Sequence, residues 1–110
     1  MISKHINANL IYRMRLTQQQ TLLITQAIFR LADEHARIFL FGSRLNDNAK
    51  GGDVDLLIET VTPLSLIARA KIKLQLESEL GLPVDVIAQT LGVAPTPFQT
   101  IARKHAFRLG

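Results

Sequence analysis

The sequence predicts an α/β (α+β) domain, a small mixed β-sheet with flanking helices. Three short runs, RIFLF (Arg37 to Phe41), DVDLLIET (Asp53 to Thr60) and PVDVIA (Pro83 to Ala88), are rich in Ile, Val, Leu and Phe and bounded by Gly, Pro or Asn, as buried strands are. Stretches of helical periodicity opened by capping residues alternate with them. At 110 residues, 47% hydrophobic and 20% charged, the chain has the length and balance of one globular domain with one core.

The elements follow in order. Leu10, Tyr12, Met14 and Leu16 alternate with Ile11, Arg13 and Arg15, the period of a short strand or ordered lead-in. Thr17 followed by Gln20 fits a capping box, in which the hydroxyl and the amide satisfy free N–H groups at a helix start. Ile24, Ala27, Ile28, Leu31 and Ala32 then share one face of a helix expected to reach about Ala36. After RIFLF, the segment LNDNAKGG (Leu45 to Gly52) has the Asn, Asp and Gly content of a loop. DVDLLIET places Val54, Leu56 and Ile58 on one side and Asp53, Asp55 and Leu57 on the other. Thr62 and Pro63 read as cap and first position of a second helix running to about Leu80, which Gly81 stops and Pro83 keeps from continuing. Thr96, Pro97 and Gln99 repeat the cap-plus-proline signature and open a last helix to about Phe107. Two strands joined by a loop, with a third returning through a helix, make the sheet mixed.

Several function classes drop out. With no cysteine, disulfides, zinc-thiolate sites and thiol nucleophiles are excluded. The longest apolar runs fall far short of the roughly 20 residues that span a bilayer, and residues 1 to 16 lack the block and cleavage site of a signal peptide; no membrane association and a cytoplasmic location are expected. The net charge of +4 comes from scattered Lys and Arg, with one dense group at Arg103, Lys104, His105 and Arg108. That group reads as a solvated helix end, since one Tyr and no Trp leave little to stack on bases, and a nucleic-acid partner is not expected. His35 reads as a dipole complement at a helix end.

The two aspartates inside DVDLLIET set the chemical problem. Residues two apart in a strand point to the same side, about 6 to 7 Å apart along the chain, so Asp53 and Asp55 share a face. Two partly buried carboxylates raise each other's pKa unless a cation lies between them. Hard oxygen ligands suit Mg2+ or Mn2+, ions that also bind phosphate oxygens. Asp85, at the start of a neighbouring strand, offers a third carboxylate, and such a set points to phosphoryl or nucleotidyl transfer. Gly42 and Ser43 leave the first strand as a turn that lets backbone approach a phosphate, and Arg44 is placed to hydrogen-bond phosphate oxygens. Lys50 reads equally as a helper from the loop or as solvated.

Gly42-Ser43, nine intervening residues, Asp53-Val54-Asp55 and a later strand carrying Asp85 together resemble the DNA polymerase beta-like nucleotidyltransferase superfamily. The resemblance is closest to the minimal nucleotidyltransferases, on MRLT (Met14 to Thr17), LFGSR (Leu40 to Arg44), GGDVDLLIE (Gly51 to Glu59) and VDVI (Val84 to Ile87), and runs from about Met14 to the C-terminus. Many members carry Ser where this chain has Gly52. Residues 1 to 13 have no family counterpart and read as an N-terminal extension preceding a nucleotidyltransferase domain at 14 to 110.

The resemblance implies a nucleotidyltransferase fold. It also implies that Gly42, Ser43 and Arg44 hold a nucleoside triphosphate, with Asp53, Asp55 and Asp85 as metal ligands and catalytic residues. The cofactor would be Mg2+ or Mn2+ and the substrate ATP. Relatives of this size are antitoxins paired with HEPN-domain ribonuclease toxins, which implies transfer of AMP to a toxin tyrosine. Two alternatives stand beside it: a non-catalytic antitoxin that neutralises by binding, and transfer to a small-molecule acceptor, for which relatives generally use an additional helical domain. Leu66, Ala70 and Leu74 form a line away from the stripe Ile67, Ile72, Leu76 of the second helix, which reads equally as two-sided burial or as a partner face.

Overall fold

A computed structural model describes residues 16–42 and 53–110. The order is α1 (Gln18–Leu31), β1 (Arg37–Phe41), β2 (Val54–Thr60), α2 (Leu66–Leu80), β3 (Val84–Thr90), α3 (Pro97–Lys104) and β4 (Phe107–Arg108). The four strands form one sheet in the order β3-β2-β1-β4, with β1 antiparallel to β2 and β4 and with β2 parallel to β3. The expected mixed sheet is present. The expected lead-in strand and the loop from Leu45 to Gly52 lie outside the described residues.

Local chemistry sets the helix ends. At α1, Thr17 Oγ1 accepts from Gln20 N at 3.0 Å and Gln20 Oε1 accepts from Thr17 N at 2.9 Å, closing the capping box. The helix ends at Leu31, short of Ala36, because Asp33 Oδ1 accepts the His35 N–H in a local turn and Ala36 is buried ahead of β1. The cap of α2 is Ser65, which accepts from Ala68 N at 3.0 Å, and not Thr62. The Thr62 carbonyl instead accepts from Thr60 Oγ1, which extends the connection by three residues. Gly81 stops α2 in the left-handed region at φ 68°, its N–H bonded to the Glu77 carbonyl. α3 has the Thr96–Gln99 capping box but ends at Lys104, because Phe107 and Arg108 join the sheet as β4. Leu109 N donates to the Ile38 carbonyl at 2.7 Å and Ile38 N to that of Gly110 at 2.9 Å, so pairing with β1 overrides the helical pattern there.

The sheet has two unlike faces. One carries Ile38, Leu40, Val54, Leu56, Ile58 and Val84, which pack against Ile24 and Ile28 of α1 and Ile72 and Leu76 of α2. Phe39 and Leu57 are also fully buried but point the other way, under α3. Arg103 of α3 stacks over the Phe39 ring at 3.9 Å and pairs with buried Glu59 at 3.5 Å, so this residue is not the solvated cation its basic neighbours imply.

The open edge of β3 is capped by side chains. Carbonyls of Val84, Val86 and Ala88 accept from Lys73 Nζ (2.5 Å), Arg69 Nη2 (3.0 Å) and Gln99 Nε2 (3.0 Å). Glu77 Oε2 accepts from Val84 N and from Lys73, bonds that hold its carboxyl below the usual range. An edge strand occupied this way offers little backbone to a foreign strand. On α2, Ile72 and Leu76 are buried, whereas Ile67 at 69% exposure is not part of the core stripe. Leu66 and Leu74 are 77% and 66% exposed and Ala70 is exposed too, which removes the two-sided burial of that line. Leu76→Ala should therefore cost about 2 to 5 kcal/mol of folding free energy and Leu74→Ala less than about 0.5, measured by denaturant unfolding.

Candidate active site

The candidate residues lie in a row across β1, β2 and β3. Backbone register aligns Phe41 with Asp55 and Asp55 with Asp85, so β1, β2 and β3 present an aromatic ring and two carboxylates side by side on the α3 face. Asp53 immediately precedes β2 and stands two residues before Asp55, on the same side. One carboxylate oxygen from each of Asp53, Asp55 and Asp85 lies within 4.8 Å of the others. The sheet thus brings together the three aspartates singled out in the sequence.

Gly42 ends β1 with φ 78°, a left-handed backbone that glycine adopts without steric cost. A Cβ there would run into the Asp55 carboxylate. Glycine is consequently needed twice over, for the turn and for the space beside the acid. Ser43 and Arg44 lie outside the described residues.

Burial, then the charges of Asp85 and Asp53 and a hydrogen bond with Asp85, pushes the Asp55 carboxyl from 3.8 up to about 6. Asp85 is the most open of the three, and Lys73 Nζ stands 3.9 Å from its Oδ1. Both partners are about half exposed, so solvent screens this pair and its main effect is positional. No sequence pattern points to Lys73, which reaches the site because α2 packs along β3. Also unforeseen is an apolar cavity of about 390 Å³ beside Gly42, lined by Phe41, Phe98, Ile101, Ala102 and His105. Its one sequence signal is the aromatic residue directly after the Thr96-Pro97 cap.

Three clustered carboxylates, whose one cation within 4.0 Å among the described residues is the Lys73 ammonium beside Asp85, are a donor set for a hard divalent ion, and Mg2+ or Mn2+ fits that chemistry. The sequence profile of the nucleotidyltransferase domain matches residues 24–108. The chain belongs to the nucleotidyltransferase domain family. This nucleotidyltransferase matches no curated protein closely enough for a relative to be assigned. Its fold is similar to that of the crystallised toxin–antitoxin MntA-HepT, at 23% identity and TM-score 0.64, covering 86% of this chain and 72% of that one. A toxin–antitoxin structure with AMP-PNP is 25% identical, with TM-score 0.58, covering 78% and 72%. A complex of a tri-AMPylated HEPN toxin with its MNT antitoxin from Shewanella oneidensis is 24% identical, with TM-score 0.54, covering 82% and 71%. Among the described residues, no helix is long and apolar enough to cross a membrane.

The raised pKa gives the site a measurable signature. The folded nucleotidyltransferase binds more protons at Asp55 than the unfolded chain between pH 3.8 and about 6, so the stabilisation is complete below that window and lost as pH rises through about 6. In chelator, the thermal midpoint should fall across this window, and Asp55→Asn should flatten the fall. Adding Mg2+ or Mn2+ should raise the midpoint at about pH 7.5 and much less at about pH 4.5, where protons compete for the ligands. Scanning calorimetry of both proteins checks this.

Proposed function

We propose that the chain is the antitoxin of a toxin–antitoxin pair and transfers AMP from ATP to a tyrosine hydroxyl of a HEPN ribonuclease toxin. The observation that carries the reading is the cluster of Asp53, Asp55 and Asp85 beside Gly42, in a nucleotidyltransferase domain. The likeness to a tri-AMPylated HEPN toxin complex supports the acceptor, and the likeness to an AMP-PNP complex supports the donor. The catalytic unit in this reading is residues 14 to 110, working in the cytoplasm.

Asp53, Asp55 and Asp85 would hold Mg2+ or Mn2+, which when bound supplies positive charge to phosphate oxygens and to the reacting hydroxyl. Gly42, with no side chain to collide with the Asp55 carboxylate, lets the backbone turn away from β1 beside the acids, and Ser43 and Arg44 would grip the triphosphate. Asp85, the most exposed of the three, faces the acceptor and takes the tyrosine proton. The tyrosine oxygen bonds to the α-phosphorus, the bond from that phosphorus to the bridging oxygen breaks, and pyrophosphate leaves.

The toxin needs a landing surface, and the exposed Leu66, Ala70 and Leu74 of α2 provide an apolar line that runs up to Lys73, the neighbour of Asp85. Two measurements test the proposal. With α-labelled ATP and the product of the adjacent reading frame, label should pass to the partner, and Asp53→Asn with Asp55→Asn should lower transfer by at least about a thousandfold. Undiminished transfer by that double variant would sink the metal assignment, whereas protection from the toxin without any modified partner would favour neutralisation by binding. Leu66→Glu with Leu74→Glu should abolish co-purification of the partner while leaving the thermal midpoint within a few degrees, since both residues are exposed.

A further inference from the structure

We infer that Lys73 is a positioning residue for Asp85: its ammonium, anchored on the edge of β3, holds the most exposed of the three carboxylates where it can bind a divalent ion. The inference rests on the reading of the aspartates as a metal site and adds a residue to that site.

Backbone pairing fixes where Asp85 stands, in register with Asp55, but leaves its carboxylate free to turn about the side chain's own single bonds. The charges of Asp53 and Asp55 repel it. With a side chain 59% exposed, Asp85 has open water to swing into, so keeping an oxygen within 4.8 Å of the other two calls for an attraction at the β3 flank. The Lys73 ammonium, 3.9 Å from Asp85 Oδ1, supplies it.

That ammonium is itself held. Lys73 Nζ donates to the Val84 carbonyl and, at 3.1 Å, to Glu77 Oε2, and the same Glu77 oxygen accepts from Val84 N at 2.9 Å. Val84 is fully buried and pairs with Val54, so the clasp ties the cation to a fixed point one residue before Asp85. An ammonium has three N–H donors, and two are used in this way, which leaves one for Asp85. Confining a long side chain to one geometry is a main cost of an exposed ion pair. The clasp has already confined Lys73, so its approach to Asp85 carries little of that cost. Helix geometry explains the placement: four residues of helix rise about 6 Å, which matches the roughly 6 to 7 Å between alternate residues of a strand. Arg69, one turn before Lys73, accordingly donates to the Val86 carbonyl at 3.0 Å. The two cations bracket Asp85 from the strand edge, and Lys73 is the one paired with its carboxylate.

Mn2+ binding to the full chain, followed by loss of the free-ion EPR signal, tests the role without any turnover. Lys73→Met keeps the apolar stem and removes the charge. It should weaken Mn2+ by roughly tenfold, the low end for losing a residue that supports a metal ligand, because the pair is half exposed. Lys73→Gln, which keeps an N–H donor for the strand edge and so the fold, should weaken it likewise. Arg69→Met removes the companion edge bond without touching the carboxylate, and should leave Mn2+ affinity within about twofold of wild type. In an Asp85→Asn background, Lys73→Met should change Mn2+ binding by less than about twofold, since the charge it positions is gone. Unchanged or tighter Mn2+ binding by both Lys73 variants overturns the inference alone. An equal loss in Arg69→Met, or a full loss that persists in the Asp85→Asn background, also overturns it, because Lys73 would then be an edge cap and nothing more. A wild type that takes up no Mn2+ overturns the metal-site reading, and the inference with it.

Discussion

The site depends on one constraint, the repulsion among three carboxylates that backbone pairing does not allow to separate. Asp55 and Asp85 are register partners in parallel strands, so moving them apart means breaking the β2–β3 ladder, and Asp53 is tied to Asp55 by two peptide units. The ladder is anchored by a face of Ile and Leu side chains packed on α1 and α2, and it is closed at its outer edge by Lys73, Arg69 and Gln99. Hydrophobic burial on one side of the sheet thus sustains an electrostatic cost on the other. The elevated Asp55 pKa is that cost in measurable form.

Around this core of repulsion the α3 face is divided by function. Arg103, Phe39 and Glu59 fasten α3 over the rear of the sheet, where a buried acid has two arginines within 4.0 Å. Towards the row of Phe41, Asp55 and Asp85 the cover by α3 ends, with Asp85 exposed at the β3 flank and the Phe98 cavity at the β1 flank. Among the described residues, Glu59 is paired with two arginines where the helix packs, whereas the three aspartates have only Lys73 beside Asp85. Lys73 belongs to both economies, capping the β3 edge while leaning toward Asp85.

Local rules read well wherever the deciding contacts are near in sequence. The capping boxes at Thr17 and Thr96 and the left-handed stop at Gly81 are satisfied within four residues, and β1 appears at its expected bounds. They fail where another contact, near or distant, competes for the same groups. Thr62 and Pro63 look like a helix start, yet Thr62 spends its carbonyl on Thr60 and Ser65 becomes the cap. Phe107 continues a helical pattern, yet it pairs with Leu40. Ile67 does not belong with Ile72 and Leu76 in one stripe, because five and nine residues of helix turn it about 140° and 180° away from them, and it faces solvent.

By itself the sequence determined the mixed α+β architecture, the sharing of one face by Asp53 and Asp55, and the glycine turn that precedes them, because strand alternation and turn chemistry act over a few residues. Only the tertiary structure decided that Asp85 stands in register with Asp55, that Gly42 must lack a side chain because Asp55 occupies the space, and that Phe98 closes a cavity against Phe41. Those three facts are distances between segments far apart along the chain, and no local periodicity encodes the register in which strands and helices meet.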